Sequence, residues 1–399
     1  MTEMKKDFLM IKHDSTSFQS MPPENSNETF LTENYFQAID NMIKVFAIKP
    51  DDTLLFLSDF LIDPRVFHAI AGIARSRGVR PELYMSSQWN SGVFPQELKP
   101  VYEKASLVVS TWFASIGDPY CLKVRKDTGQ RTVKMTYFRN IDVLKTPQAR
   151  FPVEIVGEIT RATRDMYPKN ESFTLKITDD RGTDWTANFT PEMRESMLSS
   201  NRWRGQTTAE EPGAYVHWVP THGPNIYDRS TLGSKMDRGA TRNDVNGIVY
   251  PESAVGFPSP FQERIGVVFE NDRVTEVRGQ SPEAVVLRDM LVGGVLVELG
   301  CGFNPKAPRG GIYPAGSNSP GAIHYGIELE KPCAYIKKVM PNWEEPPIHM
   351  DLVSLDATVT AGSNVLIDRG FLTALRDPKV IEVAKKYGDP VDLLEGWPA

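Results

Sequence analysis

Between Thr53 and Ser110 three short apolar runs alternate with a helical pattern, and that order restricts the architecture more than any other feature of the chain. Thr53–Leu57 (TLLFL) has the length and character of a buried strand. Pro64–Arg77 reads as a helix, with Asp63 as its N-cap, Pro64 at the first position and Gly78 as a stop signal. Glu82–Met85 and Ser106–Ser110 (SLVVS) return to strand character. Strand, helix, strand in that order predicts a βαβ unit and a mainly parallel sheet with helices covering it. A further helix is predicted over Thr32–Ile48, where Phe36, Ile39, Ile43 and Phe46 recur at spacings of three and four. No G-x-G-x-x-G follows the first strand, which argues against a dinucleotide site there.

The texture changes after about Lys169. Phe173–Ile177 alternates, Asp179–Gly182 is a turn, and Trp185–Phe189 alternates again, so a β-hairpin is predicted. Strand-sized segments continue at Gly247–Tyr250, Gly266–Phe269, Arg273–Val277, Gly294–Leu299, Ala322–Ile327, Ile348–Leu355 and Asn364–Ile367, interrupted by one helix at Pro282–Met290. A length of 399 residues suits two or three domains at roughly 150 residues each. The expected division is a flexible N-terminal arm (1–30), an α/β domain with a mainly parallel sheet (31–168), and a β-rich α+β domain (169–399) that holds the chemistry.

Composition narrows the function. Lys and Arg number 45 against 51 Asp and Glu, a net charge of -6, which argues against a nucleic-acid groove or an anionic membrane surface. No window approaches 18 uncharged apolar residues; the run near Leu291–Val297 stops at Glu298. The opening MTEMKKDFLMIKHDS carries no apolar stretch of the kind a signal peptide needs. Cys121, Cys301 and Cys333 are too few and too scattered for a disulfide framework. The expectation is a soluble cytoplasmic protein with no nucleic-acid or membrane partner, in which the sequons at Asn27, Asn170 and Asn188 are chance matches.

His349-Met350-Asp351 is the first candidate for chemistry. Residues two apart on a strand share a face, so this imidazole and carboxylate project together and can ligate one metal ion or act as a base and its orienting partner. The plain alternative is a surface strand with a His–Asp hydrogen bond. His324 lies in an apolar strand, where a buried imidazole needs a partner, and its neighbour Tyr325 faces the other way. Glu298 closes the run Val295–Val297; a carboxylate there is either at an exposed strand end or matched by a cation, a metal or a proton. His349 and Asp351, His324 and Glu298 thus sit on three β segments 25 to 26 residues apart, a spacing that allows a metal cage without showing that it closes. Other candidates are weaker. His217 and His222 flank a proline, Cys301 lies between two glycines without a G-x-S-x-G pattern, and His13 and His68 have no ligand-type neighbours. Arg309 with Gly310-Gly311 is either a turn or an anion contact for a substrate.

Three runs carry a family resemblance: ELGCGFNPKAP (Glu298–Pro308), AIHYGIE (Ala322–Glu328) and PPIHMDLV (Pro346–Val353). Together they resemble the metallo-aminopeptidase T/S family from thermophiles, whose superfamily includes the 2,5-dihydroxypyridine 5,6-dioxygenases. GTDWTANF (Gly182–Phe189) looks like that family's G-T-D/H-L segment, and IKPDDTLLFLSD (Ile48–Asp59) fits its N-terminal region. The resemblance covers nearly the whole chain past about residue 30. It implies two metals held by two glutamates, two histidines, an aspartate and a tyrosine in the aminopeptidases. Glu298, His324, His349 and Asp351 match four of those positions. The earlier glutamate falls on Ile248, with Glu252 as a substitute only through a bulge. The tyrosine position falls near Lys331 and Pro332, leaving Tyr325 as a stand-in.

The dioxygenase branch implies one iron held by histidines and the H-x-D aspartate, with histidine where this chain has Glu298. What the resemblance implies for this chain is a mononuclear non-haem Fe(II) ring-cleaving dioxygenase of extradiol type, acting with O2 on a dihydroxylated pyridine or related aromatic. His324, His349, Asp351 and Glu298 would be metal ligands, and Glu298, Tyr325 and Arg309 the catalytic candidates. The alternative is a metallo-aminopeptidase or other hydrolase using Zn, Co or Mn on the same ligands; a non-catalytic metal-binding relative is a third reading. Family analogy also implies a homo-oligomer.

Overall fold

The computed structural model describes residues 23–86, 93–112, 114–135, 140–219, 223–229, 245–254, 256–257, 260–309, 318–329 and 348–395, the backbone alone at 23–34, 116–117 and 348. The described residues form two sheets. The first is built from β1 (Leu54–Ser58), β2 (Glu82–Met85), β3 (Leu107–Ser110), β4 (Arg131–Lys134) and β7 (Tyr215–His217), in the order β2-β1-β3-β4-β7. Its pairs are parallel throughout, with Leu55 opposite Glu82 and Val108 on either side. Every residue of β1 is buried, which is why it reads as a continuous apolar run: helices cover both faces of a parallel sheet. Strand alternation then divides its side chains, Leu54 and Phe56 going to one core cluster and Leu55 and Leu57 to the other.

The predicted helix after β1 is present as Pro64–Ser76. Asp63 accepts a hydrogen bond from the Arg65 amide, and the helix buries Val66, Ile70, Ala71, Ile73 and Ala74 along one stripe. Gly78 takes a φ of 80° just beyond it, a conformation glycine adopts without strain. The earlier helix runs Pro23–Phe46, starting before the predicted Thr32. β4 was not legible as a strand because its sequence is Arg-Thr-Val-Lys, yet all four residues are buried. Their charges have partners: Arg131 pairs with Asp52, and Lys134 Nζ donates to Trp112 O at 2.6 Å.

Among the described residues the second sheet has 13 strands, all of its pairs antiparallel. They are β5 (Phe173–Thr178), β6 (Asp184–Phe189), β8 (Tyr227–Asp228), β9 (Val245–Val249), β10 (Ser253–Ala254), β11 (Gly266–Glu270), β12 (Arg273–Arg278), β13 (Val295–Cys301), β14 (Ile323–Leu329), β15 (Ile348–Ser354), β16 (Thr358–Ala361), β17 (Asn364–Asp368) and β18 (Phe371–Leu372). The order is β10-β15-β14-β13-β12-β11-β9-β6-β5-β16-β17-β18, with β8 also paired to β13. The predicted hairpin is β5–β6, in which the alternating buried residues Phe173, Leu175 and Ile177 face the same core as Trp185, Ala187 and Phe189. The helix Pro282–Leu291 connects β12 to β13, capped by Ser281. An α/β unit followed by a β-rich unit is therefore the architecture. The chain also crosses between the two: β7 extends the first sheet from the second half of the sequence, and the helix Val153–Asp165 packs Ile155, Val156 and Ile159 into the core of the large sheet. Among the described residues no helix is long and apolar enough to cross a membrane.

Candidate metal centre

β13, β14 and β15 are consecutive neighbours in the large sheet, and their register decides which side chains meet. Directly paired residues share a face. Glu298 lies opposite Gly326, which lies opposite Asp351; Gly300 lies opposite His324; Glu328 lies opposite His349. Alternation along each strand puts all of these on one face. The other face carries Leu299, Tyr325 and Leu352, a row that belongs to the apolar core. A register shift between Leu296 and Glu298 inserts one extra residue into β13, so it is a bulge that places Glu298 in line with Gly326 and Asp351. On its other side Glu298 pairs with Asp228 of β8, which extends the same row.

Ligand atoms from Glu298, His324 and Asp351 all lie within 4.8 Å of one another. His349 stands among them: its Nε2 is 3.2 Å from Glu298 Oε1 and 3.0 Å from Asp351 Oδ1, and its Nδ1 is 3.5 Å from Glu328 Oε1. The second oxygen of Glu298 accepts a 2.6 Å hydrogen bond from Asn225 Nδ2. His324 and Asp351 are buried, and Glu298, His349 and Glu328 are partly exposed, so the cluster has a dry floor and an open side.

The charges are mutually dependent. Burial disfavours a charged His349 ring, but Asp351, Glu298 and Glu328 outweigh it and hold the imidazole pKa well above its ordinary value. Burial likewise works against ionised Asp351, and His349 and His324 overcome it, leaving that carboxyl below its ordinary value. A proton on His349 therefore occupies the position from which a cation would neutralise the same carboxylates.

Two glycines clear the space. A Cβ on Gly326 would stand 2.5 Å from Glu298 Cγ and 2.8 Å from His349 Cε1, and one on Gly300 would stand 1.9 Å from His324 Nε2. The donor set, two imidazoles with carboxylates, fits a borderline divalent transition metal better than the all-oxygen cages of Ca2+ or Mg2+. The residues present thus fit a divalent metal ion.

The other sequence candidates lie elsewhere. Tyr325 is fully buried on the opposite face of β14 from the cluster, and burial pushes its phenol far upward. Arg309 pairs with Asp356, donates to Leu355 O at 2.9 Å, and lines a separate cavity with Pro305, Pro320, Arg369 and Phe371. Ile248 is on β9, three strands along the sheet from β13, and the Glu252 carboxylate accepts from Leu355 N at 2.9 Å. His217 closes β7 edge-to-face with Tyr215, and His68 lies beside Phe67. Cys301 is buried. His13, His222, Lys331, Pro332 and Cys333 lie outside the described residues.

Two neighbours of the cluster were missed. Glu328 was legible in principle, since residues 324, 326 and 328 of one strand share a face. Asn225 had no signal: it precedes a two-residue strand and reaches Glu298 only through the pairing of β8 with β13.

No known family's profile matches the chain, and no curated protein matches it. Solved structures do. 2,5-Dihydroxypyridine dioxygenase from Pseudomonas putida KT2440 aligns over 86% of this chain and 96% of its own, with a TM-score of 0.53 and 14% identity. Wild-type AmpT from Thermus thermophilus aligns over 86% of this chain and 99% of its own, with a TM-score of 0.47 and 12% identity. The likeness to the dioxygenase is one of fold.

Proposed function

We propose that the chain is a divalent-metal enzyme, and specifically a mononuclear Fe(II) dioxygenase that opens the ring of a dihydroxylated pyridine or related aromatic. The observation that carries this reading is the convergence of Glu298, His324, His349 and Asp351 on one face of three neighbouring strands. The fold shared with a 2,5-dihydroxypyridine dioxygenase supports the choice of substrate class. In this reading His324, His349 and Asp351 hold the metal, two histidines and one carboxylate, which leaves positions open for two further ligands. When bound, Fe(II) supplies the redox chemistry that lets dioxygen react with an electron-rich ring.

The protein's own groups do the rest. Glu298 takes the proton of a substrate hydroxyl or completes the ligand set; the Asn225 amide fixes one of its oxygens and leaves the other facing the cluster. The buried floor of His324 and Asp351 excludes water from one side. The partners of this reading are a small aromatic molecule and O2, and analogy adds a homo-oligomer, which sedimentation would check.

One observation favours a second reading. Asp228, Glu298 and Asp351 share a row and Glu328 stands beside it, a surplus of carboxylates that suits two cations and hence a Zn, Co or Mn hydrolase. Metal content by mass spectrometry on anaerobically purified protein, followed by O2 uptake with 2,5-dihydroxypyridine after Fe(II) loading, decides between them. One iron per chain with rapid O2 consumption is the expected result. Two Zn, Co or Mn per chain without O2 uptake would overturn it.

A further inference from the structure

We propose that Glu328 is a positioning residue: it holds the Nδ1 proton of His349 and so fixes the ring with Nε2 toward the metal position. The inference rests on the reading of Glu298, His324, His349 and Asp351 as a metal centre.

The argument begins in the register. Glu328 and His349 are a directly opposed pair on β14 and β15, so their side chains rise side by side from the same face. The ring of His349 then has two different ends. Its Nε2 meets Glu298 Oε1 and Asp351 Oδ1 at 3.2 and 3.0 Å, while its Nδ1 meets Glu328 Oε1 at 3.5 Å. An imidazole that ligates through one nitrogen carries its proton on the other, and an acceptor there selects the tautomer and stops the ring from turning. Glu328 is that acceptor. The contact is long, and a small rotation of either side chain closes it.

Gly326 gives the device its room. It precedes Glu328 by two residues on the same face, and any Cβ there would meet the His349 ring at 2.8 Å. The ring therefore lies over a glycine, with one carboxylate at its back and two at its front. The Glu328 side chain is 16% exposed, so the contact is shielded from competing water without being sealed off. Removing the acceptor frees the ring to rotate, which weakens a metal bound through Nε2.

The test is Co2+ titration of metal-free protein, following both affinity and the visible ligand-field spectrum. Glu328→Ala is expected to bind Co2+ roughly 10- to 100-fold more weakly than wild type, at unchanged stoichiometry and with a shifted spectrum. Glu328→Gln, which keeps a carbonyl oxygen at the same reach, is expected to recover most of the affinity and the wild-type spectrum. Glu328→Asp keeps the charge but withdraws it by one methylene, and is expected to behave like the alanine variant. Wild-type affinity and spectrum in Glu328→Ala would overturn the proposal, as would equal losses in the alanine and glutamine variants, which would leave a role for charge alone. If the alanine variant does not fold, the glutamine and aspartate variants make the same comparison. Failure of the wild-type protein itself to bind Co2+ would instead overturn the metal-centre reading, and this inference with it.

Discussion

Gly300 stands directly across the β13–β14 pair from His324, and a methyl group on it would lie 1.9 Å from the His324 Nε2. No real Cβ contact is that short, so the ring and any side chain at position 300 exclude each other. Gly300→Ala is expected to displace His324 and to lower the affinity for a divalent metal at least about tenfold, with a stability cost of about 1–3 kcal/mol from overpacking. Calorimetric metal titration together with urea denaturation checks both effects. Unchanged metal affinity in a folded Gly300→Ala protein would remove His324 from the site.

The sequence displayed the strands of this site more fully than the site itself. β13, β14 and β15 appeared within two residues of their true ends because each is an apolar run bounded by turn residues. Alternation already put His349 and Asp351 on one side of β15. Convergence of the three strands was a different matter, since order and register in a sheet are set by tertiary pairing. The bulge before Glu298 is the clearest case: it changes which face the carboxylate occupies, and no residue type announces it. β4 escaped notice for the opposite reason, its Arg131 and Lys134 being matched inside the fold rather than left at the surface.

The histidine at the centre gives the metal-free protein a characteristic pH dependence. With its pKa held well above the ordinary value by Asp351, Glu298 and Glu328, folded His349 keeps a proton that the unfolded chain releases. The native state then binds more protons than the unfolded state, so stability falls as pH rises. The contribution is complete below about pH 6.5 and is lost as pH climbs through the raised folded value. Asp351 has the opposite sign, its depressed pKa stabilising the fold above about pH 3.9 and ceasing to do so as pH falls through the folded value. Urea midpoints of metal-free protein are expected to decline from neutral to alkaline pH, and the decline is expected to be smaller in His349→Gln. Equal alkaline slopes in the two proteins would count against a protonated His349.

Cys301 lies between the two glycines of the ELGCGF run, yet its thiol is fully buried and desolvation pushes its pKa up to about 12. Cys121 is likewise buried and pushed up to about 12. The thiolate is the reactive form, so neither is poised as a nucleophile. Native protein treated with iodoacetamide at pH 8 is expected to carry no label on either residue, and full label on both after unfolding in guanidinium. Peptide mass spectrometry reads the result directly. Rapid native labelling of Cys301 would mean that β13 opens, and the rigid placement of Glu298 would fall with it.

Arg131 provides a control that separates folding from chemistry. Its guanidinium pairs with Asp52, both side chains being nearly inaccessible, and also donates to Ala47 O at 3.0 Å and Ala209 O at 2.9 Å. Asp52 accepts in addition from Ser106 Oγ at 2.7 Å and Lys49 N at 2.6 Å. The network fastens β4 to the chain entering β1 and to the segment before β7, all within the first sheet. Arg131→Met leaves Asp52 charged and unpaired in a dry site, at a cost of about 3–5 kcal/mol, whereas removing both charges is often close to neutral. Arg131→Met/Asp52→Leu is therefore expected to recover more than half of the single variant's loss in urea denaturation. Because Glu298, His324, His349 and Asp351 all stand on the other sheet, the folded double variant is expected to bind Co2+ within about twofold of wild type, a difference of about 0.4 kcal/mol. A large loss of affinity there would mean that the first sheet holds the metal-bearing strands in place.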